Sequence, residues 1–580
     1  MLISTIDLVV ILAYLVGIVG LGLWAGFQRQ RGGEGSHYFL AGNTLTWPII
    51  GLAMFAANIS TVHLVSLAES AYKYGLIYGN FEWMAGFTLI LLSLFFAPLY
   101  LRSRVPTLPD YLERRFNRNC RDWLAYVSIV SAVVIHIGVA LYTAAWVLRG
   151  ILGIDPAATI VGIDALMFFI IVLGVLTGIY TMIGGLLAVV LTESAQTVLL
   201  IVGAVCITIV GFIKIGGWSA LSSTLATQPH PMTGIPEAHV TWNTGNFLNM
   251  MRYEGDPSGL PWYSILLGYP VLGIWYWCCD QTIVQRVLAA RDEKQARLGP
   301  LFCAFIKILP VFIFVLPGVI CVALVQNNYF GGEAPKVAAD TYTFMITHML
   351  PVGLKGLITA AMLAAAMQTC SAALNSTATL FSYDIFKRWR PKTTDHQLVV
   401  IGKITTVVAT ILAIALSRLF GHYGTIIEGL NKLISYVAPP ITAVFLFGVF
   451  WKRASGRAAY STLSVGAILG VLTFFLDWNQ HEAWLLNALQ PMEPLRWFLL
   501  DFWVRNFMMT AFYLFVLCGT VMVIVSRISP EQSTQEANVL VWENWREPLR
   551  GKALGRALGN YRVLAVVVLV TFVALYYFFR

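Results

Sequence analysis

The chain has 580 residues, 58% of them hydrophobic and only 12% charged, with a mean hydropathy of +0.73. A soluble domain carries about 25% charged residues, so there is too little polar surface here to wet a soluble globule. Only helices or closed barrels satisfy every backbone group in a bilayer. Barrel strands alternate over about ten residues, whereas these apolar runs are long and unbroken, which predicts an all-α polytopic membrane protein. The balance of 38 Lys and Arg against 29 Asp and Glu, +9 overall, points to loops facing anionic lipid and not to nucleic acid.

A spanning helix needs about 20 apolar residues. That rule predicts fourteen spans, near 6–26, 46–67, 80–101, 123–148, 158–179, 187–213, 261–284, 301–325, 353–383, 398–420, 429–450, 456–476, 500–526 and 562–579. The first run follows no Lys or Arg and has only Asp7 nearby, so it reads as a retained helix with its N-terminus outside, not as a secretory leader. The longest polar stretches, 216–260, 326–351 and 527–561, are loops of one membrane domain. All eight cysteines lie in or beside apolar segments, so no disulfide framework is indicated. With an external N-terminus, alternate loops collect the basic residues, from Arg29 and Arg31 through the Arg102–Arg121 group to Arg546, Lys552 and Arg556. These loops are therefore assigned to the cytoplasm.

Polar groups inside spans are costly and mark pathways by default. The second span carries Ala56, Ala57, Asn58, Ile59, Ser60, Thr61 and His63, a run suited to a broken helix whose freed carbonyls face a cavity. The alternative is a small-residue packing face with a satisfied histidine. In the third span Glu82 precedes Trp83. A carboxylate can accept two hydroxyl protons of a sugar while an indole stacks on its apolar face, or both can sit in the interfacial belt. The seventh span has Pro270, then Trp275, Tyr276 and Trp277, then Asp280, which could pair with Arg286. Lys307 stands in the eighth span, where snorkelling is the alternative. The ninth holds Gln368, Thr369, Asn375, Ser376 and Thr377, side-chain oxygens able to complete a hard-cation shell or to bond back to the preceding turn. Glu193 and Asn431 complete the set. No phosphate loop, His-x-x-x-His pair or Cys-x-x-Cys is present, and the intramembrane His63 and His136 lie on different spans, so no enzyme chemistry is expected.

At these residues the chain resembles the sodium/solute symporter family, within it the sodium/glucose cotransporter branch. The matching stretches include Tyr38-Phe39-Leu40-Ala41-Gly42, Ala56 to Ser60, Glu82-Trp83-Met84, Thr107 to Phe116, Gly184-Gly185-Leu186, Trp275 to Gln281, Leu374 to Thr377 and Phe450 to Arg453. The resemblance implies a five-plus-five inverted-repeat transporter core, with repeats at 46–213 and 261–450 flanked by 1–45 and 451–580. It implies sugar contacts at Asn58, His63, Glu82, Trp277 and Lys307, with Tyr276 as an inner gate. Asn431 stands for a longer Gln of the family, and Gly273 for a second amide contact. It implies sodium held by the carbonyls of Ala56, Ile59 and Ala365 with Thr369. Gln368 stands where the family has a second hydroxyl, and Glu193 replaces a nearby aspartate.

The expectation is a secondary transporter of the cell (inner) membrane that moves a hexose-like sugar together with sodium, its only implied partners besides the bilayer. A sodium-independent or proton-coupled carrier, a non-transporting sugar sensor and a membrane redox enzyme are the alternatives.

Overall fold

The computed structural model describes all residues except 1–3, 30–34, 156, 228–243, 419–425, 481, 532–533 and 551–558. The basic residues Arg31, Lys552 and Arg556, used above for sidedness, lie outside the described residues. Apolar sequence away from water must close its backbone hydrogen bonds within each segment, and the described residues are accordingly mostly helical, with one short hairpin among them, Thr159–Ile160 against Ile163–Asp164. Among the described residues, eleven helices are long and apolar enough to cross a membrane.

That number differs from the fourteen expected spans for two physical reasons. The expected spans 158–179 and 187–213 lie in one uninterrupted run of helical residues, Ala165–Ile215, made of two helices that meet at a kink. At 1.5 Å per residue it would stretch to about 76 Å, more than twice the roughly 30 Å hydrocarbon core. It is folded at Gly185, whose φ of 60° falls outside the helical range and whose added Cβ would lie 2.7 Å from the Tyr38 carbonyl oxygen. The Tyr38 hydroxyl donates to the Met182 carbonyl at 3.0 Å across the same corner. The other reason is that the spans at 46–67 and 261–284 are interrupted, each by extended backbone.

Ten of the described helices frame the site. They are α1 (Thr5–Arg29), α2 (Trp47–Asn58), α3 (Thr61–Tyr74), α4 (Asn80–Leu91), α5 (Ala165–Ile215), α6 (Trp262–Ile274) and α7 (Gln281–Leu288), with α8 (Glu293–Ile306), α9 (Leu354–Leu380) and α10 (Ile426–Phe450). Helix α9 is buried along nearly its whole length. It packs against α5 and α1, and also against α2.

Segments expected on one side of the membrane meet each other. Asp7 accepts from the backbone N–H groups of Gly353 and Gly356 at 2.7 and 2.8 Å, and Met250 N–H donates to the Phe579 carbonyl. At the opposite end, Arg121 binds Asp110, Glu113 and Asp384 at 3.0, 2.6 and 2.7 Å, and Lys452 binds Glu543. Thus the Thr107–Phe116 motif is a capped helix, with Thr107 accepting from Asp110 N–H, set in a polar clasp at one membrane face.

Asp7 is fully buried and caps the first turn of α9 from another helix, where both orphan N–H groups and the helix dipole favour a carboxylate. Asp7→Ala is expected to cost about 1–3 kcal/mol, seen as a lower melting temperature in detergent, with Asp7→Asn retaining part of the loss.

Candidate functional site

Helix α2 ends at Asn58 because Ile59 and Ser60 adopt extended backbone, with φ, ψ of −80°, 111° and −112°, 172°. Ser60 then starts α3 as its N-cap. Its backbone N–H donates to His63 Nδ1 at 3.2 Å, and its hydroxyl lies 3.0 Å from the same nitrogen. A histidine accepting at Nδ1 carries its proton on Nε2, so the break fixes His63 as a neutral donor.

The second break lies at the end of α6. Pro270 removes one intrahelical donor. The chain widens into a π turn over Trp275–Cys279 before Asp280 takes extended backbone, φ −86° and ψ 127°. Asp280 caps α7, accepting from Thr282 N–H at 2.8 Å. The Cys278 carbonyl, freed by the turn, accepts from the Tyr100 hydroxyl at 2.6 Å. Arg286 therefore does not serve Asp280, as the sequence suggested. It pairs with Glu193 at 2.5 Å, both side chains fully buried.

Between the two breaks lies a cavity of about 140 Å³. Its wall includes Asn58, His63, Glu82, Trp275, Tyr276, Trp277, Thr369 and Asn431. Six of the seven expected sugar contacts thus share one surface. The seventh, Lys307, sits behind it: its ammonium donates to Glu82 at 2.5 Å and to Asn58 Oδ1, and lies 5.3 Å from the centre of a Trp277 ring. Lys307 is 1% exposed, so it does not snorkel. Its charge is compensated by Glu82, and it orients two wall residues without touching the cavity. Trp83 turns away as well. Its indole donates to the Ile308 carbonyl and packs on Tyr576 and Phe579, so the indole face beside Glu82 comes from Trp277.

His136 also lines the cavity, stacked on Tyr276 with centroids 6.3 Å apart. The sequence reading had set the two histidines apart because they lie on different spans; the fold brings both to one wall. The only cue was a lone histidine in an apolar helix, which a packing role explains equally well.

The residues expected at the ion lie beside the α2 break. Ala56, Ile59, Ala365 and Gln368 are fully buried, and Thr369 nearly so. In the amide orientation that satisfies both its ends, Gln368 donates to the Ala56 carbonyl and accepts from Thr197 N–H, each at 3.2 Å. The Thr369 hydroxyl bonds back to the Ala365 carbonyl at 3.3 Å, and Thr377 bonds back to Ala373. Glu193 stands one turn before Thr197 on α5, committed to Arg286.

Two interrupted helices meeting at an amphipathic cavity are the arrangement in which secondary transporters build solute sites at helix breaks. The model of the sodium:solute symporter family matches residues 38–466, and the chain belongs to that family. It is 31% identical over 490 residues to the sodium/glucose cotransporter 4 of Mus musculus, covering 82% of this chain and 69% of that protein. It is 32% identical over 487 residues to the sodium/glucose cotransporter 2 of Rattus norvegicus, covering 80% and 71%. The sodium/myo-inositol cotransporter 2 of Mus musculus is 31% identical over 493 residues, covering 81% and 70%. The solved outward-open structure of a Na⁺-coupled sialic acid symporter shares the fold, with a TM-score of 0.72 at 22% identity over 92% of this chain and 100% of that one. The protein is a multi-pass membrane protein with the inverted-repeat transporter fold.

Removing one partner of a buried pair strands a charge, at about 3–5 kcal/mol. Lys307→Met is therefore expected to lower the melting temperature sharply. Adding Glu82→Gln to it should recover most of the loss, measured by thermal unfolding in the same detergent.

Proposed function

We propose that this chain carries a hexose-like sugar into the cell by alternating access across the cell (inner) membrane, with its N-terminus outside and sodium as the coupling ion. The observation that carries the sugar reading is the composition of the cavity wall. Trp277 and Trp275 offer flat apolar faces, while Asn58, His63, Glu82 and Asn431 offer donors and acceptors around them. A sugar ring presents the same two surfaces, a C–H face and a hydroxyl rim. Because Glu82 is paired with Lys307, this part of the rim has no uncompensated charge, which favours a neutral polyol over an ionic solute.

Residues 46–213 and 261–450 are assigned to the two repeats, which places one break in each. Sidedness rests on the basic loops. Arg114, Arg121, Arg388 and Lys452 gather at one face, which becomes the cytoplasmic one. Sodium as the coupling ion is supported by the family and by the relatives' names. Coupling demands that the cation favour the sugar-binding conformation, so sodium must raise sugar affinity and sugar must raise sodium affinity by the same factor. A potential of 100 mV acting on one charge is worth about 2.3 kcal/mol, about fiftyfold in accumulation.

Uptake of labelled hexoses and inositols into proteoliposomes tests the proposal. A sodium gradient is expected to drive accumulation of at least one of them, and Trp277→Ala is expected to abolish it. Equal uptake in sodium and in choline would overturn sodium coupling; no binding of any sugar or polyol would overturn the substrate class.

A further inference from the structure

The α2 break frees the Ala56 carbonyl. In a continuous helix the Ser60 N–H would bond it, but that N–H donates to His63 Nδ1. Ala56 is fully buried, so its carbonyl needs a partner, and a cation or an N–H group can serve. This chain supplies the N–H itself. In the amide orientation that satisfies both of its ends, the Gln368 nitrogen donates to Ala56 while its oxygen accepts from Thr197 N–H, spanning from α9 to both α2 and α5. The neighbouring Thr369 hydroxyl is turned back onto Ala365. The nearest carboxylate on α5, Glu193, is held by the Arg286 guanidinium.

We infer that the Gln368 side chain is a tethered competitor for the coupling cation, its amide –NH₂ filling the position against Ala56 that sodium must take. The inference rests on the reading of this break as the coupling-ion site. An amide hydrogen aimed at the carbonyl places positive partial charge where the cation would stand, so sodium enters only after Gln368 swings or turns over. That movement breaks both of its hydrogen bonds, which weakens sodium binding by about tenfold to a hundredfold. Gln368 is thereby a specificity-determining residue for coupling, and a short side chain at this position gives a carrier that saturates at lower sodium.

The test measures sodium binding apart from sugar. Thermal stabilisation of the purified full-length protein is titrated with sodium at constant ionic strength in choline, for wild type, Gln368→Ser and Gln368→Ala. Both variants are expected to reach half-maximal stabilisation at a sodium concentration at least about tenfold lower than wild type. A gain in Gln368→Ser with none in Gln368→Ala would show a new ligand and not a removed competitor, and would overturn the inference. So would an unchanged or higher sodium requirement in either folded variant. Failure of wild type to bind any sugar would sink the function proposed above, while the sodium titration would still decide the role of Gln368.

Discussion

Every feature of the site follows from one constraint, that a helix broken away from water must find new partners for the backbone groups it releases. A break at Ile59 and Ser60 frees carbonyls and N–H groups where each unsatisfied one costs several kcal/mol. The chain answers with particular side chains: His63 for the Ser60 N–H, Gln368 for the Ala56 carbonyl, Tyr100 for Cys278 and Asp280 for Thr282. His63 and Asp280 serve their own breaks locally, whereas Gln368 and Tyr100 reach in from other helices and tie each break to its surroundings. The cavity is the space left between the breaks, and its wall is made largely of the same residues or their neighbours.

Buried charge obeys the same logic. An isolated ammonium or carboxylate would be prohibitively costly at this depth, yet Lys307, Glu82, Arg286 and Glu193 are all buried. They occur as two pairs, each joining helices far apart in sequence. Pairing removes net charge from both the cavity rim and the neighbourhood of the α2 break. What remains on the rim is hydrogen-bonding capacity without charge, which suits the proposed recognition of a polyol by the placement of its hydroxyls. An unpaired charged group would instead favour whatever counter-ion was most abundant.

Much of this architecture is legible in the sequence because hydropathy is a local property. The spans, the polar interruptions and the family motifs each occupy contiguous stretches, and six of the seven residues expected at the sugar do meet on one wall. What was not legible is long-range pairing. Asp7 read as a lone charge near a span and proves to be the cap of α9, more than 340 residues away. Arg286 read as a partner for nearby Asp280 and instead takes Glu193 across 93 residues. The family resemblance implies Lys307 as a sugar contact, and the fold sets it one layer back. His136 had no periodic or motif signal at all. The fourteen expected spans and the eleven long helices differ because a length criterion passes over helices interrupted mid-membrane and counts the two arms that meet at Gly185 as one.

The stretch from Ala56 to His63 ties these strands together. Eight residues hold two of the three carbonyls assigned to the cation, Asn58 and His63 of the cavity wall, and the Ser60 cap that orients His63. Any group that takes the Ala56 carbonyl acts on backbone only two residues from Asn58, which in turn bonds Lys307 and thereby Glu82. Linkage of this kind is reciprocal, and it needs no long pathway because the two sites share one break. On the proposed reading, Gln368 enters that short circuit as a third participant, and the response to sodium is set as much by how firmly one amide is held between α2 and α5 as by the oxygens that would bind the ion.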